Sequence, residues 1–107
     1  IGEISMFNID KKYMTIGIKE EIGIDIQLFM WNEIEKRINL KKELDYLQVF
    51  NISIIDKDKG IVKIEHTQEI PEYKKTSIIK SKEVRNNLKV FVILEAEYAT
   101  MLLATEY

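Results

Sequence analysis

The chain has 107 residues, with sixteen Lys and Arg against eighteen Asp and Glu, one histidine and no cysteine. That length makes one domain, residues 1–107, and buries ~65% of the unfolded surface without staples. The missing cysteines exclude disulfides, thiolate nucleophiles, iron–sulfur clusters and cysteine zinc sites, and suit a reducing cytoplasm.

The near-neutral charge sum argues neither for nucleic acid nor for an acidic tail. No apolar run approaches the ~20 residues of a membrane span, so no membrane association is expected. The start lacks a basic segment followed by an apolar one, so a secretory leader is not expected. Ile1–Ser5 reads as an extension ahead of a natural start at Met6.

Lys12–Ile18 alternates, with Tyr13, Thr15 and Gly17 on one face and Met14, Ile16 and Ile18 on the other, which predicts a half-buried strand. Lys19–Gly23 is then the loop into a helix. Ile24–Ile38 has helical period: Ile24, Leu28, Trp31, Ile34 and Ile38 form one stripe, with Met30 at its edge. Acids lie at its start and Lys36, Arg37, Lys41 and Lys42 near its end, which suits the helix dipole. Ile26 and Phe29 point away from that stripe. Either the core-facing arc is wide, or Phe29 belongs to a contact surface. Lys41–Asp45 predicts a short second helix or a continuation of the first.

From Tyr46 the period becomes two. Leu47–Asp56 is a strand with Phe50, Ile52 and Ile54 on one face. Asp56–Gly60 ends in the glycine a tight hairpin wants. Its acids have a superficial likeness to a calcium loop, but the glycine comes one residue early and two lysines intervene. Ile61–Gln68 returns, with Val62, Ile64 and His66 together. The lone proline, Pro71, breaks the pattern before Tyr73–Lys80, a polar strand whose lysines mark an edge. Val90–Leu94 is apolar on both faces, which predicts a central strand covered on both sides. In residues 96–107 helix competes with strand, and a hairpin partner for the central strand favours the latter. The sum is an α+β domain: an antiparallel sheet of about five or six strands with one long helix packed on a face.

Candidate chemistry is sparse. His66 shares its strand face with apolar residues, so a packed histidine is favoured over a ligand or general base. Glu20–Glu21 and Glu33/Glu35 read as helix-start and solvent-facing charges. Between Lys74 and Lys89 stand six bases (Lys74, Lys75, Lys80, Lys82, Arg85, Lys89) and one acid, Glu83. With Tyr73 beside them, they form a candidate phosphate-contacting segment, or else an edge strand guarded by lysines. Phosphate loops, dinucleotide fingerprints and serine elbows are absent, so no cofactor and no metal is expected.

Four stretches resemble one family: Leu28–Trp31, Asp45–Phe50, His66–Tyr73 and Thr100–Tyr107. It is the small Firmicutes family, with staphylococcal members, catalogued as domain of unknown function 960. The resemblance implies a cytoplasmic Gram-positive setting and no catalytic residue to carry over. The expectation is a non-enzymatic binding or protein-interaction module whose partner is another protein or itself, as a homodimer, through Phe29, Tyr46 and Tyr73. The rivals are a nucleic-acid-associated protein using residues 74–89 and a small enzyme centred on His66.

Overall fold

A computed structural model describes residues 11–107, so the reading of Ile1–Ser5 and Met6 lies outside the described part. The elements run β1 (Lys11–Met14), α1 (Ile16–Glu21), α2 (Ile24–Asn39), β2 (Leu47–Asp56), β3 (Ile61–Gln68), β4 (Tyr73–Lys80), β5 (Leu88–Leu94) and β6 (Tyr98–Leu103), followed by a 3-10 turn over Ala104–Glu106. They form one six-stranded sheet in the order β1-β6-β5-β2-β3-β4.

The sheet is mixed where an antiparallel one was expected. β1 pairs with β6 in parallel, while the other four pairings are antiparallel. The cause is the return path. α2 carries the chain back to the end of the sheet where β1 began, so β1 and β2 run the same way. β5 opposes β2 and β6 opposes β5, which leaves β6 parallel to β1.

The first strand is also shorter than its alternation suggested. It stops at Met14, and Thr15 caps α1, its hydroxyl accepting from the Ile18 amide at 3.4 Å. Ile16, Gly17 and Ile18 are therefore helical. Thr15 also donates to a Glu106 carboxylate oxygen at 2.6 Å, tying the α1 start to the chain's far end. That hydroxyl, and then the Leu103 amide, hold the Glu106 carboxyl below the usual carboxylate range.

α2 has the expected bounds but a different buried stripe. Ile26, Met30 and Ile34 are fully enclosed, and Trp31 is buried beside them. Ile24 and Leu28 are 60% and 54% exposed. Phe29 is half-buried and packs on the core, so the wide-arc alternative holds for it. The helix has apolar residues on nearly every side, and the sheet selects which of them are covered. The opposing layer is Phe50, Ile52, Val62, Ile64, Val90, Val92 and Met101, all buried.

The segment after α2 is not helical. Lys41 takes φ 57°. Its amide donates to the Ile38 carbonyl at 2.9 Å, and the Lys42 amide donates to the Arg37 carbonyl at 3.0 Å. Those two bonds make a Schellman stop, in which glycine is the usual left-handed residue. At the other chain reversal the rule is kept: Gly60 has φ 67° at the end of the β2–β3 hairpin.

β5 is interior, but it is not covered on both sides. Val90, Val92 and Leu94 face the helix and are buried, whereas Phe91 and Ile93 are half-buried on the other face. That second face is partly covered where the Tyr107 ring meets Phe91 at 5.4 Å and Leu102, opposite Phe91, is buried; among the described residues no helix is long and apolar enough to cross a membrane.

Two stability outcomes follow. Ile34→Ala should lower the unfolding free energy by about 3 kcal/mol, while Leu28→Ala should change it by less than ~0.5 kcal/mol, both read by urea denaturation. Lys41→Gly should raise it by about 1 kcal/mol by relieving the left-handed backbone. Equal costs for the two alanine variants would contradict the buried stripe.

Candidate functional site

The helix-facing side of β2, β3 and β4 carries a polar cluster inside the apolar layer. Strand alternation puts Gln48 with Phe50 and Ile52, and it puts Gln68 with His66 and Ile64, all pointing at α2. Gln48 Nε2 donates to the Asp45 carbonyl at 2.7 Å and to Gln68 Oε1 at 2.8 Å. Gln68 Nε2 donates to the carbonyls of Pro71 at 2.7 Å and Glu43 at 3.1 Å. Gln68 Oε1 also accepts from Arg37 Nη1 and from the Asp45 amide, both at 3.1 Å. The Arg37 guanidinium lies 3.6 Å over the Tyr73 ring.

This wiring assigns the histidine. Gln48 uses both amide hydrogens elsewhere, so its Oε1 faces His66 Nε2 at 2.7 Å and accepts. His66 is thus the Nε2–H tautomer, fixed by its partner's amide. Its Nδ1 has no partner among the described residues. The ring stacks on Phe50 at 4.2 Å and meets the edge of Tyr73 at 5.3 Å. It is 2% exposed. Burial, and then the positive Arg37, push its pKa down to about 4. The ring is thus held neutral and shielded from solvent.

Glu33 departs from the expected solvent-facing charge: it is 6% exposed. Lys75 Nζ and Lys36 Nζ each hold one of its carboxylate oxygens at 2.8 Å. Burial alone would raise its pKa, but hydrogen bonds from the two lysines outweigh that and leave it lowered. Lys75 is raised in return, first by its bond to Glu33.

On the helix side Phe29, Glu33, Lys36 and Ile38 line an open depression of about 650 Å3; the opposite face is accessible as well. Near the ends of β2, β3 and β5 it holds a depression of about 810 Å3. Leu47, Val49 and Phe91 line its floor, with Tyr46 and Ile70 at one end beside Asp45, Glu69 and Glu72. Thr67, Asn51 and Lys89 complete it.

The ten residues expected to form a site are therefore divided. Tyr46 and Lys89 meet in the depression. His66 and Tyr73 lie under the helix, with Phe29 at its flank, and exposed Lys75 reaches Glu33 from the same face of β4. Lys74 lies on the open face, paired with Glu65 at 3.3 Å. Lys80 and Lys82 line a shallow hollow beside Gly60, and Arg85 lines another near Lys82. Residues 74–89 thus make no continuous basic patch, because β4 alternates its lysines between faces. Sequence reasoning missed Val49, Phe91, Glu69 and Ile70. Their signal was the outward set of the strands, legible only if that face lacks a second layer. Among the described residues, no three His, Asp or Glu side chains gather to hold a metal ion.

Residues 11–106 match the family described as staphylococcal protein of unknown function, domain of unknown function 960. The chain belongs to that family. Comparison with curated proteins found no match. The fold is similar to a crystal structure of a protein of unknown function from Enterococcus faecalis, with TM-score 0.77 and 17% identity, over 98% of this chain and 98% of that one. At that identity the likeness speaks for the fold alone.

The buried imidazole gives a pH outcome. Its folded pKa lies near 4 against about 6.5 unfolded. Its contribution is therefore complete above pH 6.5 and shrinks as pH falls toward 4, because the unfolded chain takes up the proton first. Between pH 7.5 and 5 it accounts for a loss of about 2 kcal/mol. His66→Phe should flatten that slope in urea melts, whatever its cost at pH 7.5. An NMR titration placing His66 near 6.5 would refute the enclosed neutral ring.

Proposed function

We propose that the protein is a non-enzymatic binding module and that its working surface is the uncovered face of the sheet. The observation that carries this reading is the contrast between the two faces. The titratable groups under α2 are enclosed or paired, while the open face presents aliphatic and aromatic side chains around a concavity. Half-exposed Leu47, Val49, Phe91 and Ile93 form one contiguous set across β2 and β5 by register. Such a patch, rimmed by charges, is the usual form of a protein-binding surface. The floor is rigid, since each strand is hydrogen-bonded on both sides, and a preformed floor lowers the ordering cost of association.

A photo-crosslinking amino acid at position 67, within the depression, tests the reading in living cells. Irradiation should give a protein adduct there and none from exposed position 32 on α2, and Val49→Asp should reduce the adduct severalfold. Equal adducts at both positions, or none at 67, would end the proposal.

A further inference from the structure

The depression on the open face has a definite charge layout. Asp45, Glu69 and Glu72 stand at its Tyr46 end, and Lys89, paired with Asn51 in register, stands at the other. Three carboxylates therefore face one ammonium. Among the described residues none of the four is in an ion pair, although Asp45 uses one oxygen on the Ile70 amide at 3.2 Å. Glu65 and Lys74 on the same face differ, since they neutralise one another at 3.3 Å.

Between the charged ends lies an apolar floor. Val49 is its centre, with Phe91 opposite on β5 and Thr67 opposite on β3. Leu47 carries the floor toward the acids. The Tyr107 ring packs against Phe91 at 5.4 Å and Leu102 beyond it is buried, so the floor ends there and does not continue onto β6. From Tyr46 to Asn51 the strand rises roughly 17 Å, room for about five residues of an extended chain.

We infer that this depression takes an extended segment of another protein that carries a bulky apolar side chain with arginine or lysine on one side of it. The apolar side chain rests on Val49 and Leu47 against Phe91, and the cation meets the carboxylates at the Tyr46 end. The inference rests on the binding reading above and names its partner's chemistry. Charge balance chooses the occupant. A cation at the acidic end is attracted by three carboxylates that nothing else in the described chain neutralises, and the bound apolar group strengthens that attraction by keeping water out. Arginine suits the place best, because it pairs with carboxylates in a bidentate way and stacks on aromatic rings, and Tyr46 is 54% exposed there. Lys89 repels a second cation at the far end, which is why the bases fall on one side of the apolar residue. Other occupants fit less well. Nucleic acid and anionic lipid bring phosphates to the carboxylates. A second copy brings this same face, whose remaining part mixes Lys80 with Asp56 across Ile61.

A random dodecapeptide display library panned on the immobilised full chain tests the inference. Enriched sequences should carry an aromatic or aliphatic residue with bases on one side. The leading peptide, synthesised and labelled, should bind in fluorescence polarisation, more weakly in high salt. Glu69→Lys with Glu72→Lys should weaken it by about tenfold or more, whereas Lys89→Glu should tighten it severalfold. Misfolding cannot produce that tightening, and circular dichroism checks that each variant keeps its fold. Enrichment of acidic or purely apolar peptides, no enrichment, or a leading peptide indifferent to both charge changes overturns the inference. Mass spectrometry of the segment joined at position 67 in cells separates this failure from failure of the binding reading. A joined segment with bases beside an apolar residue supports the inference. A protein segment without bases, or a second copy of this chain, overturns it and leaves the binding reading standing. No adduct removes both, and a nucleic-acid adduct also overturns the inference.

Discussion

The structure depends on one helix covering one face of a sheet. α2 spends Ile26, Met30 and Ile34 on the layer formed by Phe50, Ile52, Ile64 and Val92. Burial of each such side chain is worth about 1.5–3 kcal/mol, and this contact is the main apolar layer of the described chain. A helix of this length spans about 24 Å, enough to cross the sheet once. Having one long helix and six strands, the described chain covers the near face and leaves the far one open apart from the part beside Tyr107 and Leu102. The location of the accessible surface is therefore a consequence of how the core was built.

The polar cluster inside that layer has a structural rationale. Gln48 and Gln68 sit where the strand pattern calls for apolar side chains. Their amides satisfy the carbonyls of Glu43, Asp45 and Pro71 and hold the Arg37 guanidinium. These are backbone groups of the two loops at one end of the sheet, and a buried carbonyl without a partner would cost about 1–3 kcal/mol. Asp45 also accepts from the Ile70 amide at 3.2 Å, joining the loops directly. The same loops carry Tyr46, Glu69, Ile70 and Glu72 to the rim of the depression. The buried amides on one face thereby position the acidic rim of the other.

The likeness to the enterococcal structure is one of fold. At 17% identity the fold is retained over 98% of the chain. That is expected where inward positions need only be apolar and of suitable volume. Residues that deviate from that rule, such as Gln48, Gln68 and Glu33, do so because particular partners answer them.

Local chemistry in the sequence was enough for the long helix, for strands over the later segments, the hairpin at Gly60, the break before Tyr73, the edge position of β4 and, to within a residue, the bounds of α2. Period and turn residues act within a few positions, and these features need no distant partner. Which side of α2 is buried, that Ile16–Ile18 coil into a helix, that β1 lies parallel to β6, and that β5 is only partly covered on one side depend on contacts between segments far apart in the chain. Isoleucines on several sides of α2 satisfy more than one docking, and an alternating stretch satisfies either a strand or a short helix. The choice was made by the sheet that the rest of the chain builds. The same holds for the surface: Tyr46, Glu69 and Lys89 are unremarkable in sequence, and only the tertiary structure brings them to one depression.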